Sequence, residues 1–318
     1  MVWLAALVAL AAVAACGGAP PPPPPAVIAK PAPPPPPPPA CITPPEELAA
    51  ITHASGGTAS VQYCIGTAVD QCFALELGTG MLTHLATPPP PQPPSLESEA
   101  HVETTNPELK VCNGDACKTL TPQVWPGAAP LRAATNGAIA VVLLGDAEGG
   151  RGYADVYDVT KSKKLASFKY ARGDYKCGEV AMLGDTIYVG ASTCQAPSGR
   201  AALYSAKGKK IANVGGKDFG TYGNSFTQID ASNWAFLEEN GSKIAVQDVV
   251  KGKVVKTIPV TALFKDAGAT MGNPGESALV RLGAGKLGVI GGSPANGSVA
   301  VVDVATGDVK VVRAPLCH

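Results

Sequence analysis

The sequence predicts an all-β protein: a β-propeller of six or seven four-stranded blades, after a signal peptide and a Pro-rich linker. Three observations carry this. A strand–turn–strand unit, Ser298–Val312 (SVAVVDVATGDVKVV), recurs in weaker form along the chain. Its spacing stays close to the length of one four-stranded blade. Glycine is abundant (36 residues) and aromatics are few (5%), with Val and Ala prominent among the apolar residues. That composition favours strands and tight turns over helices.

Six turns align with the Asp303 turn: Leu75-Glu76…Gly80, Val111-Cys112-Asn113…Lys118, Tyr157-Asp158…Lys163, Tyr204-Ser205…Lys209, Gln247-Asp248…Lys253 and Val302-Asp303…Asp308. Their anchors are 37, 45, 47, 43 and 55 residues apart. The last unit divides into strands 277–282, 286–291, 297–304 and 308–313. The fifth divides into 225–229, 233–237, 243–248 and 254–260. Asn240-Gly241 and Asn296-Gly297 suit type I′ turns, which need positive φ at both central residues. Runs such as 139–144 and 299–302 are apolar on both faces, as expected of sheets sandwiched between neighbours. Pro88–Pro94 interrupts the early units and leaves the blade count open. The rival architecture is a pair of β-sandwiches.

The pattern Val-x-Val-x-Asp-x-x-Thr-Gly-x-Val at 299–309 resembles the YVTN-type and quinoprotein-like (WD40-like) propeller repeats, over about residues 130–313. Quinoprotein dehydrogenases of that resemblance hold a cofactor with a metal-binding acid cluster and a stacking Trp. No such set can be assembled here, so no cofactor and no metal are expected.

The N-terminus reads as an address and a tether. Val2–Ala15 is almost wholly apolar, too short to span a bilayer comfortably, and ends in Val13-Ala14-Ala15-Cys16. The small residues before Cys16 resemble the bacterial lipobox, which implies acylation at Cys16. No Lys or Arg precedes the apolar run, a departure from the usual pattern. Gly17 follows the Cys, where the inner-membrane retention signal of enteric lipoproteins has Asp. The resemblance therefore implies the outer membrane, on its periplasmic or surface face. Residues 20–39 hold 14 prolines in 20 positions, a polyproline II rod without a core. The organisation expected is 1–15 signal peptide, 16–40 lipid-anchored linker and 41–318 propeller.

Besides Cys16, eight cysteines remain, an even number that suits an oxidising compartment. Local pairing suggests Cys64–Cys72, Cys112–Cys117 and Cys177–Cys194. That leaves Cys41 and Cys317, at the two ends that a circular fold must bring together. No Cys-x-x-Cys occurs and no His lies at metal spacing to a Cys.

Charge and motifs narrow the function. Net charge is zero, so nothing points to nucleic acid. Residues 41–109 carry eight acids and no Lys or Arg, whereas 151–217 carry twelve bases and five acids. The Ser-elbow, Walker, zincin and calcium-loop motifs are absent. His53, His84, His101 and His318 are scattered and read as surface or turn residues. Trp125 and Trp234 read as core more readily than as sugar platforms. Arg132, Glu179 and Arg281 fall on expected inner strands, a thin basis for a propeller hydrolase, lyase or quinoprotein-like enzyme. No catalytic residue is assigned.

The leading expectation is a membrane-anchored scaffold whose loops bind an envelope protein or surface ligand. The loops are 148–152, 171–177, 217–224 and 264–276, with Arg151, Arg172, Asp174, Lys217, Tyr222 and Asn273 as contact candidates. A second expectation resembles, in fold and address, the propeller lipoprotein of the outer-membrane barrel-assembly machinery. A third is a link between membrane and cell wall.

Overall fold

The computed structural model describes residues 40–317, except 46–47, 67–70, 94–99, 106–107, 114, 123–127, 147–150, 173–178, 194–195, 221–225, 239–240, 266–276 and 284. Its strands form six antiparallel sheets, each a meander taken in chain order. The first blade is β1 (Ile51–Gly56), β2 (Ser60–Ile65), β3 (Cys72–Glu76) and β4 (Leu82–His84). The second has three strands, β5 (Ala100–Thr105), β6 (Glu108–Asn113) and β7 (Ala116–Leu120). The third is β8 (Ala128–Thr135), β9 (Ile139–Asp146), β10 (Arg151–Asp158) and β11 (Lys163–Arg172). The fourth is β12 (Glu179–Leu183), β13 (Thr186–Thr193), β14 (Ala196–Ser205) and β15 (Lys210–Gly220). The fifth is β16 (Phe226–Gln228), β17 (Asn233–Glu238), β18 (Lys243–Asp248) and β19 (Lys253–Pro259). The sixth is β20 (Ala278–Gly283), β21 (Lys286–Ile290), β22 (Val299–Asp303) and β23 (Val309–Val312).

First strands of neighbouring blades touch: β1 meets β20, β20 meets β16, and β12 meets β8. The described strands form a β-propeller of six blades, and the sandwich alternative falls with that arrangement. Apolar cores lie between blades. Val61, Phe73 and Leu75 of the first blade pack with Val280, Ile290 and Val299 of the sixth. Ile244 and Ile258 of the fifth blade pack with Val289 and Val302 of the sixth, and Tyr188 and Leu203 of the fourth with Trp234 of the fifth. Val141 and Val156 of the third blade pack with Ile187 of the fourth, and Leu109 and Val111 of the second with Val142 of the third. A strand covered on both faces must be apolar at successive positions, which is why Ala140–Leu144 are all buried.

The six turn anchors all fall on the hairpin before a blade's outermost strand. In three of them an aspartate organises the turn. Asp158 Oδ1 accepts from the Lys161 N–H, Asp248 Oδ1 from the Val250 and Lys251 N–H groups, and Asp303 Oδ1 from those of Ala305 and Thr306. These backbone donors hold all three carboxyls below the usual Asp range. The turn closes at a residue with positive φ: Gly80 (74°), Ser162 (50°), Gly208 (75°), Gly252 (70°) or Gly307 (88°). That conformation favours glycine. The four glycines lean on the outer strand of the preceding blade. A Cβ on Gly208 would sit 3.0 Å from Phe168, one on Gly252 2.8 Å from Ala212, and one on Gly80 3.8 Å from Val312. One turn thus sets both a hairpin and a blade-to-blade contact.

Among the described residues no strand is shared between the first and last blades. The ring is closed instead by the termini. Ile42 pairs in parallel with Leu316, and its N–H donates to Pro315 O while its own O accepts from the Cys317 N–H. The Ala40 N–H donates to Leu82 O, so residues 40–42 bridge β4 and the C-terminal segment. A Cys41–Cys317 disulfide (Cα–Cα 5.1 Å) locks the seam. Cys64–Cys72 joins β2 to β3, and Cys112–Cys117 joins β6 to β7, each across directly opposed residues. Cys177 and Cys194 lie outside the described residues, as does Cys16.

Among the described residues the second blade has three strands against the expected four, and the prolines ahead of it are poor ladder partners. Ahead of β5, Gln92 and Pro93 lie against the inner strands of the first and sixth blades. Proline has no N–H to give to a ladder. In Pro88–Pro91, Gln92 and Pro93, only Gln92 has one, and it donates to Ala54 O of β1.

Candidate functional site

Two places could carry function: the inner strands around the axis, and the end of the ring where the connections between blades emerge.

At the axis, Gln92 and Arg281 are the central pair. Gln92 Nε2 donates to Gly56 O and to Arg281 O, both at 3.2 Å, and its Oε1 accepts from the Arg281 N–H at 2.6 Å. One amide therefore joins β1 to β20. The strands approach closely here: a Cβ on Gly56 would lie 2.2 Å from Arg281 O, so only glycine fits. The Arg281 guanidinium donates to Thr227 Oγ1 of β16 at 2.9 Å and to Pro93 O at 2.8 Å. Its half-buried position lowers its pKa through desolvation.

Glu179, on β12, and burial together raise the Tyr188 phenol, with burial the larger cause. Arg132 is exposed on β8, where its Nη1 donates to Leu131 O. The three inner-strand charges read from the sequence do lie on inner strands, but each has different surroundings. The described geometry uses Arg281 to brace three blades. Gln92 is the residue that sequence reasoning missed. Its only signal was a single hydrogen-bonding side chain inside a proline run.

Among the described residues, no group of three or more His, Cys, Asp or Glu could hold a metal ion. His53 is exposed on β1, at an irregularity with φ 48°. The His84 ring lies 4.7 Å from Phe73, and His101 Nε2 lies 3.8 Å from Glu103 on an exposed edge. Trp234 is fully buried beside Phe226 and is core, not a sugar platform. Burial pushes the Tyr170 phenol up to about 12.

At the end of the ring, antiparallel alternation puts the second-to-third-strand turns and the blade-to-blade connections on one side. The four candidate segments all join strand ends on that side. Three candidate residues need correction, because they lie in strands and not in loops. Arg151 opens β10 and pairs with Arg172 at the end of β11, since the ladder runs to the strand tips. Lys217 lies within β15, in the stretch where register jumps between the Ala201–Val214 and Gly199–Phe219 pairs. Asp174, Tyr222, Asn273, Trp125 and His318 lie outside the described residues.

No protein-family profile matches the sequence, and no curated protein matches it. Among solved structures, the chain is similar to a chain of a mitotic checkpoint complex, with 16% identity and a TM-score of 0.42. That match covers 65% of this chain and 60% of the other. It is also similar to a prolyl endopeptidase, with 12% identity and a TM-score of 0.37, over 83% of this chain and 42% of the other. The chain thus spans less than two thirds of either length. No helix among the described residues is long and apolar enough to cross a membrane.

Proposed function

We propose that the protein is an exported lipoprotein, acylated at Cys16 and tethered by residues 16–40. Its propeller serves as a binding scaffold for another envelope protein or a surface ligand. The observation that carries this reading is topological: the four candidate segments all spring from one end of a rigid, disulfide-closed ring. Such a ring fixes the strand ends from which these segments leave, as recognition surfaces require. The lipobox-like run before Cys16 and the proline-rich linker support the anchor. Two acyl chains at ~0.8 kcal/mol per CH₂ would make attachment effectively permanent.

The test is mild crosslinking and pull-down of the tagged full-length chain from its native envelope, beside a Cys16→Ala control. A specific partner captured by the wild type and lost in the control supports an anchored scaffold. Equal solubility of both forms, with no partner, overturns it.

A further inference from the structure

We infer that the opposite end of the ring, at the turns of the third, fourth and fifth blades, docks on an anionic lipid surface. The six-residue turns there read DVTKSK (158–163), SAKGKK (205–210) and DVVKGK (248–253). They carry two, three and two lysines, whereas the matching turns of the first and sixth blades, ELGTGM (76–81) and DVATGD (303–308), carry none. All these turns precede an outermost strand, so they lie on one side of the ring and the lysines form an arc across adjacent blades. Lys161 and Lys251 are paired with Asp158 (3.4 Å) and Asp248 (3.0 Å). Lys163, Lys207, Lys209, Lys210 and Lys253 are exposed and have no carboxylate partner among the described residues. The three turns thus hold seven lysines against two aspartates, with Asp185 and Asp230 of the first-to-second-strand turns on the same side.

Apolar side chains stand among these lysines. Val250 is 65% exposed, Val254 55%, Val255 58% and Leu165 44%. These four account for most of the exposed large hydrophobics of the described chain, which include only Leu48, Met81 and Leu316 besides. Lysines interleaved with protruding aliphatic groups match the interface of an anionic bilayer, where headgroups meet the cations and acyl chains receive the valines. An acidic protein would satisfy the lysines but gives no reason to leave the valines bare. Ala40, the first described residue, donates to Leu82 O, the first residue after the first blade's turn on this same side. The inference rests on the envelope reading for the presence of a membrane. It adds an orientation: the lysine arc faces the bilayer and the recognition segments face away.

The test uses the purified full-length chain and phosphatidylcholine vesicles prepared with and without phosphatidylglycerol. Sedimentation reads the excess bound to the anionic vesicles, so residues 2–15 contribute equally to both arms. The excess should weaken as ionic strength rises. Each lysine near the surface contributes about fivefold. Lys163→Glu/Lys207→Glu/Lys209→Glu/Lys253→Glu should thus remove the excess by tenfold or more. The matching four-glutamine variant should reduce it less, and Val254→Ser/Val255→Ser should also lower it. Equal binding to both vesicles overturns the inference, as does an excess unchanged by the lysine variants. Retention by polyglutamate without a preference for anionic vesicles overturns it too and assigns the arc to an acidic protein. Because the readout does not depend on acylation, failure at Cys16 and failure of the arc are distinguishable.

Discussion

At the residue scale, Gln92 does work normally spread over a strand. Its backbone N–H reaches Ala54, and its amide spans Gly56 and Arg281. A net hydrogen bond in a protein contributes about 1 kcal/mol. Gln92→Ala removes three side-chain bonds and leaves the Arg281 N–H without its acceptor, so it should cost about 2–3 kcal/mol. Urea unfolding checks this: the midpoint should fall with an unchanged slope. A midpoint equal to the wild type's would mean that the inner seam is held by other groups. The Asp158, Asp248 and Asp303 turns show the same economy, since each carboxylate gathers the N–H groups that its turn exposes.

At the element scale, outer strands and turns are joined by a lysine device that occurs twice among the described residues. Lys118 of β7 donates from Nζ to Val159 O at 3.2 Å and to Thr160 O, in the turn of the next blade. Lys256 of β19 donates to Val304 O at 2.9 Å and Ala305 O at 2.7 Å, the equivalent carbonyls of the sixth blade. The stem of Lys256 also packs where a Cβ on Gly307 would lie 3.4 Å away. Lys118→Met and Lys256→Met should each cost about 1 kcal/mol after discounting for solvent. The two sites share no partner, so the double variant should show the sum. A double-mutant cycle with large coupling would refute their independence. Exposed Lys253 and a terminal Pro259 also blunt the outer edge of β19.

At the scale of the whole molecule, closure is the decisive event. Five blade-to-blade seams carry buried apolar clusters among the described residues, between the sixth and first blades and onward from the second to the sixth. The sixth–first seam is locked covalently over a sequence separation of 276 residues. In the chain-entropy model such a link contributes roughly 5 kcal/mol, an upper figure. Cys41→Ser/Cys317→Ser should therefore lower Tm markedly, and hydrogen exchange should quicken first in β1, β4 and β23. Uniform acceleration in all blades would instead indicate a ring that opens everywhere at once.

The sequence alone determined the repeat. Asp and Gly at the turns, Asn296-Gly297 with φ of 44° and 78°, and strands apolar on both faces are local requirements written in consecutive residues. The expected strand 243–248 matches β18 at both ends, and 286–291 matches β21 to within one residue. Tertiary structure decided how the ring is stitched. Gln92 and Arg281 are 189 residues apart, and Lys256 and Val304 are 48 apart. Neither pair has a local signature, because a single glutamine or lysine is compatible with many environments. Two of the arc's three turns were legible only as part of an excess of bases in 151–217, and the third, 248–253, lies outside that stretch. Placing its lysines on one side required the antiparallel alternation of folded blades, which brings turns some 45 residues apart in sequence to the same end of the ring.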